Sequence, residues 1–183
     1  MHASEQTAPT IMNEILHQLA EEFGIPVSTL LERHRNSYPE ARDLAVSEIG
    51  AQGREHLLTP AAADAWRCMK AAASRDGKTI LIVSAFRSVE RQTQIVRRKL
   101  LSGIPLAQVL AVSALPGFSE HHSGRAVDVG TADCAPLDYS FEGTAAFAWL
   151  QSNAAAFNFR LSYPADNSEG YVYEPWHWCY HSD

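Results

Sequence analysis

The longest apolar candidate run in this chain is residues 79–86, TILIVSAF, which is strand-sized and far short of the ~18 to 20 residues a membrane-crossing helix needs. No membrane insertion is expected, and a core must be assembled from many short segments. The run's β-branched part, residues 79–84, predicts a buried strand. Before it, Thr59 and Pro60 open an Ala-rich helix that the turn Arg75-Asp76-Gly77 ends. After it comes a basic helix, residues 89–101, broken by Gly103 and Pro105.

Downstream the pattern alternates. A short helix at 106–111 is followed by a loop at 116–124, an apolar strand at 126–129 and a helix from Thr144 that buries Phe147, Trp149, Leu150 and Ala154. Two aromatic strands, 159–163 and 171–180, flank the turn-rich PADNSEG. The fold class expected is α+β, a small, mainly antiparallel sheet flanked by helices. Upstream, residues 1–9 read as a polar tail. A helix from Thr10 then carries Ile11, Ile15, Leu16, Leu19 and Phe23 at helical spacing until Gly24 and Pro26. Further helices are expected at 27–34 and 39–49. Residues 1–55 are thus read as a helical N-terminal addition, not a separate domain, ahead of a functional domain at 56–183.

At 183 residues there is room for one enzyme-sized domain. Fifteen Lys and Arg against 21 Asp and Glu leave a net charge of −6, which argues against nucleic acid as a partner. The first 26 residues have no cationic start and apolar stretch, so no secretory signal is read and the chain as written is cytoplasmic; if it was trimmed, a periplasmic or cell-envelope site is expected. Cys68, Cys134 and Cys179 are odd in number and far apart, which predicts buried free thiols rather than a disulfide framework.

Two segments concentrate ligand chemistry. SEHHSGRAVDVG offers His121, His122 and Asp128, and EPWHWCYH offers Glu174, His177, Cys179 and His181. A zinc that hydrolyses an amide needs three protein ligands, an open position for water, and a carboxylate beside that water. His121, Asp128 and His177 meet the ligand count and Glu174 is left as the base. Gly124 lets the loop reverse so that His121 and Asp128 converge, and Pro175 permits a kink that brings Glu174 and His177 to one side. Arg87, just beyond the buried strand, is a fixed cation able to face an oxyanion or a carboxylate. His122 is read as a rim residue and Cys179 as packing, with a thiolate ligand as its alternative. His2, His17, His34, His56 and His181 are read as solvated. The cationic face of Arg91, Arg97, Arg98 and Lys99 reads as solvated too, with attraction of an anionic substrate as its functional alternative. Trp176, Trp178, Tyr171 and Tyr173 read as packing, with one lining a groove.

SAFRSVERQ, PGFSEHHSGRAVDVG, and YP followed by GYVYEPWH resemble the signature segments of the VanY-type D-alanyl-D-alanine carboxypeptidases, zinc peptidases of the lysostaphin, D-Ala-D-Ala-peptidase and hedgehog group. The resemblance runs from about residue 58 to 180. It implies a hedgehog/D-Ala-D-Ala-peptidase-like fold, Zn2+ held by His121, Asp128 and His177, Glu174 as general base, and Arg87 steadying the scissile carbonyl oxygen. Ser119 and Gln92 match polar positions near the substrate. The implied reaction is hydrolysis of the C-terminal D-alanine from peptidoglycan stem peptides or muropeptides. Within the same chemistry the alternatives are a D,D-dipeptidase or an L,D-carboxypeptidase; from another class comes a non-catalytic, hedgehog-like zinc-binding module.

Overall fold

The computed structural model describes residues 8–31 and 36–182; the expected polar tail at 1–7, His2, His34 and the end of the second expected helix lie outside the described residues. Helices α1 (Ala8–Phe23) and α2 (Val27–Leu31) lead into a hairpin of β1 (Ala45–Ile49) and β2 (Glu55–Leu58). There follow α3 (Pro60–Arg75), β3 (Leu81–Ser84), α4 (Val89–Leu101), α5 (Leu106–Val112), β4 (Ala126–Gly130), α6 (Ala145–Asn153), β5 (Phe159–Leu161) and β6 (His177–Tyr180). The second sheet has four antiparallel strands in the order β3-β4-β6-β5, the α+β arrangement expected. No helix among the described residues is long and apolar enough to cross a membrane.

Local chemistry sets the boundaries. α3 starts on Pro60, whose missing N–H costs nothing in the first turn, and buries Ala62, Ala63, Trp66, Met69 and Ala73 along one stripe. The Ser88 hydroxyl accepts from Arg91 N–H at the start of α4, and Thr144 does the same for Phe147 at α6. Two cores result. The larger joins the sheet to α3 and α6 through Trp66, Met69, Val127, Val129, Phe147, Leu150, Phe159 and Trp178. Burying an aliphatic residue such as Met69 or Leu150 in it contributes about 1.5–3 kcal/mol. The smaller core packs α1 and α2 on α4 and α5 through Leu16, Leu19, Leu30, Val96, Val109, Leu110 and Leu115.

Four expectations meet a different arrangement. The helix expected at 39–49 is replaced by irregular chain and then by β1, because the ladder to β2 outweighs the helix propensity of Ala and Glu there. That hairpin also straddles the boundary drawn at residue 55, and the N-terminal addition is only partly helical. α1 begins at Ala8, ahead of Thr10. The last strand is confined to His177–Tyr180, since residues 171–176 run as turn and irregular chain.

Residues 36–44, though outside any helix or strand, are tied to the loop after α5. Tyr38 N–H donates to Gly117 C=O and Ala41 N–H to His122 C=O, both at 2.8 Å. Gly124 ends the one-turn helix Glu120–Ser123 with φ +65°, where an added Cβ would lie 2.9 Å from Leu44 Cδ2 and 3.1 Å from Ala41 Cβ. The reversal expected at Gly124 is there, and glycine is required both by conformation and by space.

Candidate active site

Strand register does the first half of the work. Asp128 on β4 stands directly opposite His177 on β6 and is also opposite Ser84 on β3. Directly opposed residues share a face with Cβ atoms about 4.5–5.5 Å apart, so carboxylate and imidazole meet without further help. Asp128 Oδ1 lies 3.0 Å from His177 Nδ1. His121 comes from the Glu120–Ser123 turn, and its Nε2 lies 3.2 Å from Asp128 Oδ2. His121, Asp128 and His177 are all buried and offer ligand atoms within 4.8 Å of one another.

Their partners set the tautomers. His121 Nδ1 lies 2.7 Å from Ala85 C=O, which only accepts, so the proton sits on Nδ1 and the Nε2 lone pair faces Asp128. His177 Nε2 lies 3.0 Å from Glu120 Oε2, so an N–H there leaves Nδ1 toward Asp128. Two imidazole lone pairs aimed at one ionised carboxylate repel unless a cation lies among them. That donor set, two nitrogens and one oxygen with outer partners fixing each ring, fits zinc.

The electrostatics agree. Burial holds His121 neutral, its pKa drawn down to about 4 despite Asp128. Burial opposes the charged form of His177 as well, yet hydrogen bonds to Asp128 and Glu120 raise its pKa to about 10, so without metal a proton takes the cation's part. Asp128 stays well below the usual carboxylate range, and Glu120 falls to about 2; in both, the hydrogen-bonded imidazoles overcome burial.

These groups sit at a cleft of about 530 Å³ that Arg87, Gln92, Ser119 and Glu174 also line. Glu174 Oε2 is 3.9 Å from His177 Nδ1. The two share a side because Glu174-Pro175-Trp176-His177 forms a turn closed by His177 N–H to Glu174 C=O at 3.1 Å, rather than the kinked strand expected. Burial, with Asp128's charge adding to it, pushes the Glu174 carboxyl up to about 7, the range a base working near neutrality needs. Arg87 donates to Gln92 Oε1 at 2.9 Å and Ser84 Oγ at 3.0 Å, with Asp128 Oδ2 at 3.7 Å. Gln92 is itself buried and donates to Ala114 C=O at 2.6 Å, so it orients the guanidinium besides facing the cleft.

Every candidate site residue from the sequence therefore gathers at one cleft. Some assignments around them change. His122 is fully buried, not at the rim: Gly117 N–H donates to its Nε2 at 3.0 Å and its Nδ1 lies 2.6 Å from Arg87 C=O. Cys179 is buried on β6 outside the metal cluster, its thiol pKa raised by burial. His56 is buried in the hairpin. Trp176 and Tyr171 line the cleft while Trp178 joins the core. Sequence reasoning passed over Glu120, which accepts from Ser162 Oγ at 2.6 Å and Tyr38 OH at 3.3 Å besides meeting His177, and Tyr163, whose ring packs 4.7 Å from the His177 imidazole. Glu120 adjoins His121 in the motif, but a glutamate between serine and histidine carries no signal of where it points.

A short antiparallel sheet that presents two imidazoles and an aspartate to a cleft, with a buried glutamate and arginine beside them, defines a single-metal site of the zinc-peptidase class. The family follows from comparison with known proteins: residues 55–183 match the VanY family, described as D-alanyl-D-alanine carboxypeptidase, and the chain belongs to it. A D-alanyl-D-alanine carboxypeptidase of Enterococcus faecalis is 30% identical over 164 residues, covering 84% of this chain and 58% of that protein. The LdcB LD-carboxypeptidase structure superposes with TM-score 0.68 at 32% identity, covering 77% of this chain and 69% of that one. A D,D-pentapeptidase VanY from a VanB-type resistance cassette, solved with Zn(II), gives TM-score 0.62 at 28% identity, covering 80% and 84%. The chain spans 54 to 66% of the length of three curated relatives.

Proposed function

We propose that this chain is a zinc-dependent carboxypeptidase that removes the C-terminal D-alanine from peptidoglycan stem peptides. The observation that carries the reading is the convergence of His121, Asp128 and His177, their ligand atoms within 4.8 Å of one another, on a cleft where burial pushes the Glu174 carboxyl up to about 7. His121, Asp128 and His177 would hold the ion. Zinc, when bound, supplies Lewis acidity toward a water and the scissile carbonyl. Glu174 takes the water's proton and returns it to the leaving amine. Arg87, kept charged and aimed by Gln92 and Ser84, donates to the carbonyl oxygen as negative charge builds on it. Ser119 and the cleft's aromatic side chains orient the peptide.

Likeness to an LD-carboxypeptidase supports a second reading, in which the tetrapeptide stem is the substrate. A non-catalytic zinc module has no use for Glu174 and Arg87 in the cleft. Digestion of defined tri-, tetra- and pentapeptide stems by zinc-loaded protein, with mass detection of the released residue, tests all three. Loss of one D-alanine from the pentapeptide is expected. Release from the tetrapeptide alone would select the second reading, and no release from any stem would overturn the enzyme reading.

A further inference from the structure

Arg87 is not the only cation at the cleft. Lys99, in the last turn of α4, and Arg98 beside it line the same cavity, along with Ser113 from the segment after α5. The expectation of a solvated basic face fails at Lys99, which is half-buried. Its Nζ donates to Ser113 Oγ at 2.7 Å, and that hydroxyl directs its own proton to Val112 C=O at 2.7 Å, so it is committed as an acceptor toward the ammonium.

Lys99 is a half-buried cation inside the cleft with no direct ion-pair partner; the carboxylate whose charge reaches it is Glu174 of the same cleft. By comparison Arg97, two residues away, is paired with Glu22 of α1 at 2.8 Å, Lys70 with Glu48 at 2.8 Å, and Arg87 lies 3.7 Å from Asp128. Among the described residues no carboxylate lies within 4 Å of Lys99 Nζ, nor of the Arg98 guanidinium. A single neutral hydroxyl does not repay the lost hydration of an ammonium, which has three N–H donors to satisfy. A half-buried ammonium that lines the cleft and has one neutral hydroxyl as its direct partner is an arrangement for an incoming anion.

We propose that Lys99, aimed by Ser113 and assisted by Arg98, is a carboxylate-binding subsite on the α4 wall of the cleft, selecting peptides that carry a free carboxylate there. The inference rests on the carboxypeptidase reading of the same cleft. The peptide offers that carboxylate from one of two sources, its own C terminus or the side chain of a residue upstream of the scissile bond. Ile95 and Val172 line the same cleft as Lys99 and lend it apolar wall.

The test uses zinc-loaded full chain and three peptides: a pentapeptide stem with all carboxylates free, the same stem amidated on its side-chain carboxylate, and the same stem amidated at its C terminus. Hydrolysis is measured for wild type, Lys99→Met, Lys99→Arg and Ser113→Ala, and binding by calorimetry for each in a Glu174→Gln background. Measured above the Glu174 limb, since the Lys99 charge also draws that carboxyl down, Lys99→Met is expected to raise KM and Kd for the free peptide about tenfold or more with little change in kcat, the mark of lost uniform binding. It should also erase discrimination against one amidated peptide, and which one names the source. Lys99→Arg should keep most of the discrimination and Ser113→Ala should lose part of it. Circular dichroism melts establish that each variant is folded. A folded Lys99→Met protein that binds and discriminates as wild type does would overturn the proposal. Discrimination in binding without cleavage would keep the subsite and sink the carboxypeptidase reading, whereas no binding of any peptide would sink both.

Discussion

Glu120 Oε2 sits 3.0 Å from His177 Nε2 while Asp128 Oδ1 sits 3.0 Å from Nδ1 of the same ring, so one imidazole is gripped at both nitrogens by carboxylates. The outer grip decides which nitrogen carries the proton. With Glu120 removed, the ring is free to place its N–H toward Asp128, the wrong tautomer for a ligand. Glu120→Ala should weaken zinc binding about 10–100-fold, read by competition with a chromogenic chelator, and Glu120→Gln should be milder because an amide oxygen still accepts. Unchanged zinc affinity in Glu120→Ala would show that the ring is held by packing alone.

Glu174 should govern the acid limb of activity. Its carboxyl is pushed up to about 7 by burial, and only the ionised form can take a proton, so kcat/KM is expected to rise with pH to a limb at or below about 7, the metal's charge pulling it downward. Glu174→Gln should retain zinc and lose hydrolysis by about 100-fold or more. Retained turnover in that variant would move the base elsewhere.

Stability should respond to pH in opposite senses with and without metal. In the metal-free chain the His177 pKa rises from 6.5 to about 10 on folding, so the stability it lends is whole below about 6.5 and is lost as pH climbs through 10. Glu120 moves the other way, from 4.5 to about 2, so its contribution is present above 4.5 and lost as pH falls through 2. The chelated protein should therefore melt highest between about pH 5 and 6.5. Zinc competes with the proton on His177, so its stabilising effect should grow with pH. Calorimetric melts with and without chelator decide this; a chelated protein whose Tm climbs toward pH 10 would contradict it.

His122 and Gly124 are expected to be structural. His122→Ala would leave Gly117 N–H and Arg87 C=O buried without partners, at about 1–3 kcal/mol each. Gly124→Ala should cost at least about 1–2 kcal/mol from φ +65°, with crowding against Leu44 in addition. Urea denaturation of the zinc-loaded protein measures both. Wild-type stability in either would mean that the loop relaxes around the change.

The gathering of His121, Asp128, Glu174 and His177 at one cleft was legible in the sequence because a hydrophobic strand puts Asp128 at a fixed register and because these residues are few in kind and clustered in two segments. The α3, α4 and α6 boundaries were legible through Pro60, Ser88 and Thr144, whose chemistry acts locally. What escaped is what depends on distant chain. Strand β1 exists because β2 pairs with it, and nothing within residues 39–49 announces that partner. Glu120, Lys99 and His122 are polar residues whose roles come from atoms 35 or more positions away or from a cleft wall, so their identity alone said "surface".

The stitching of residues 36–44 onto the loop that carries His121 bears on where the working unit ends. The family match opens at residue 55, yet Tyr38 reaches Glu120, and Ala41 and Leu44 crowd Gly124. A fragment beginning at residue 55 would keep His121, Asp128 and His177 and lose the chain that braces the loop carrying His121. The piece needed for a well-set cleft thus starts upstream of the family match.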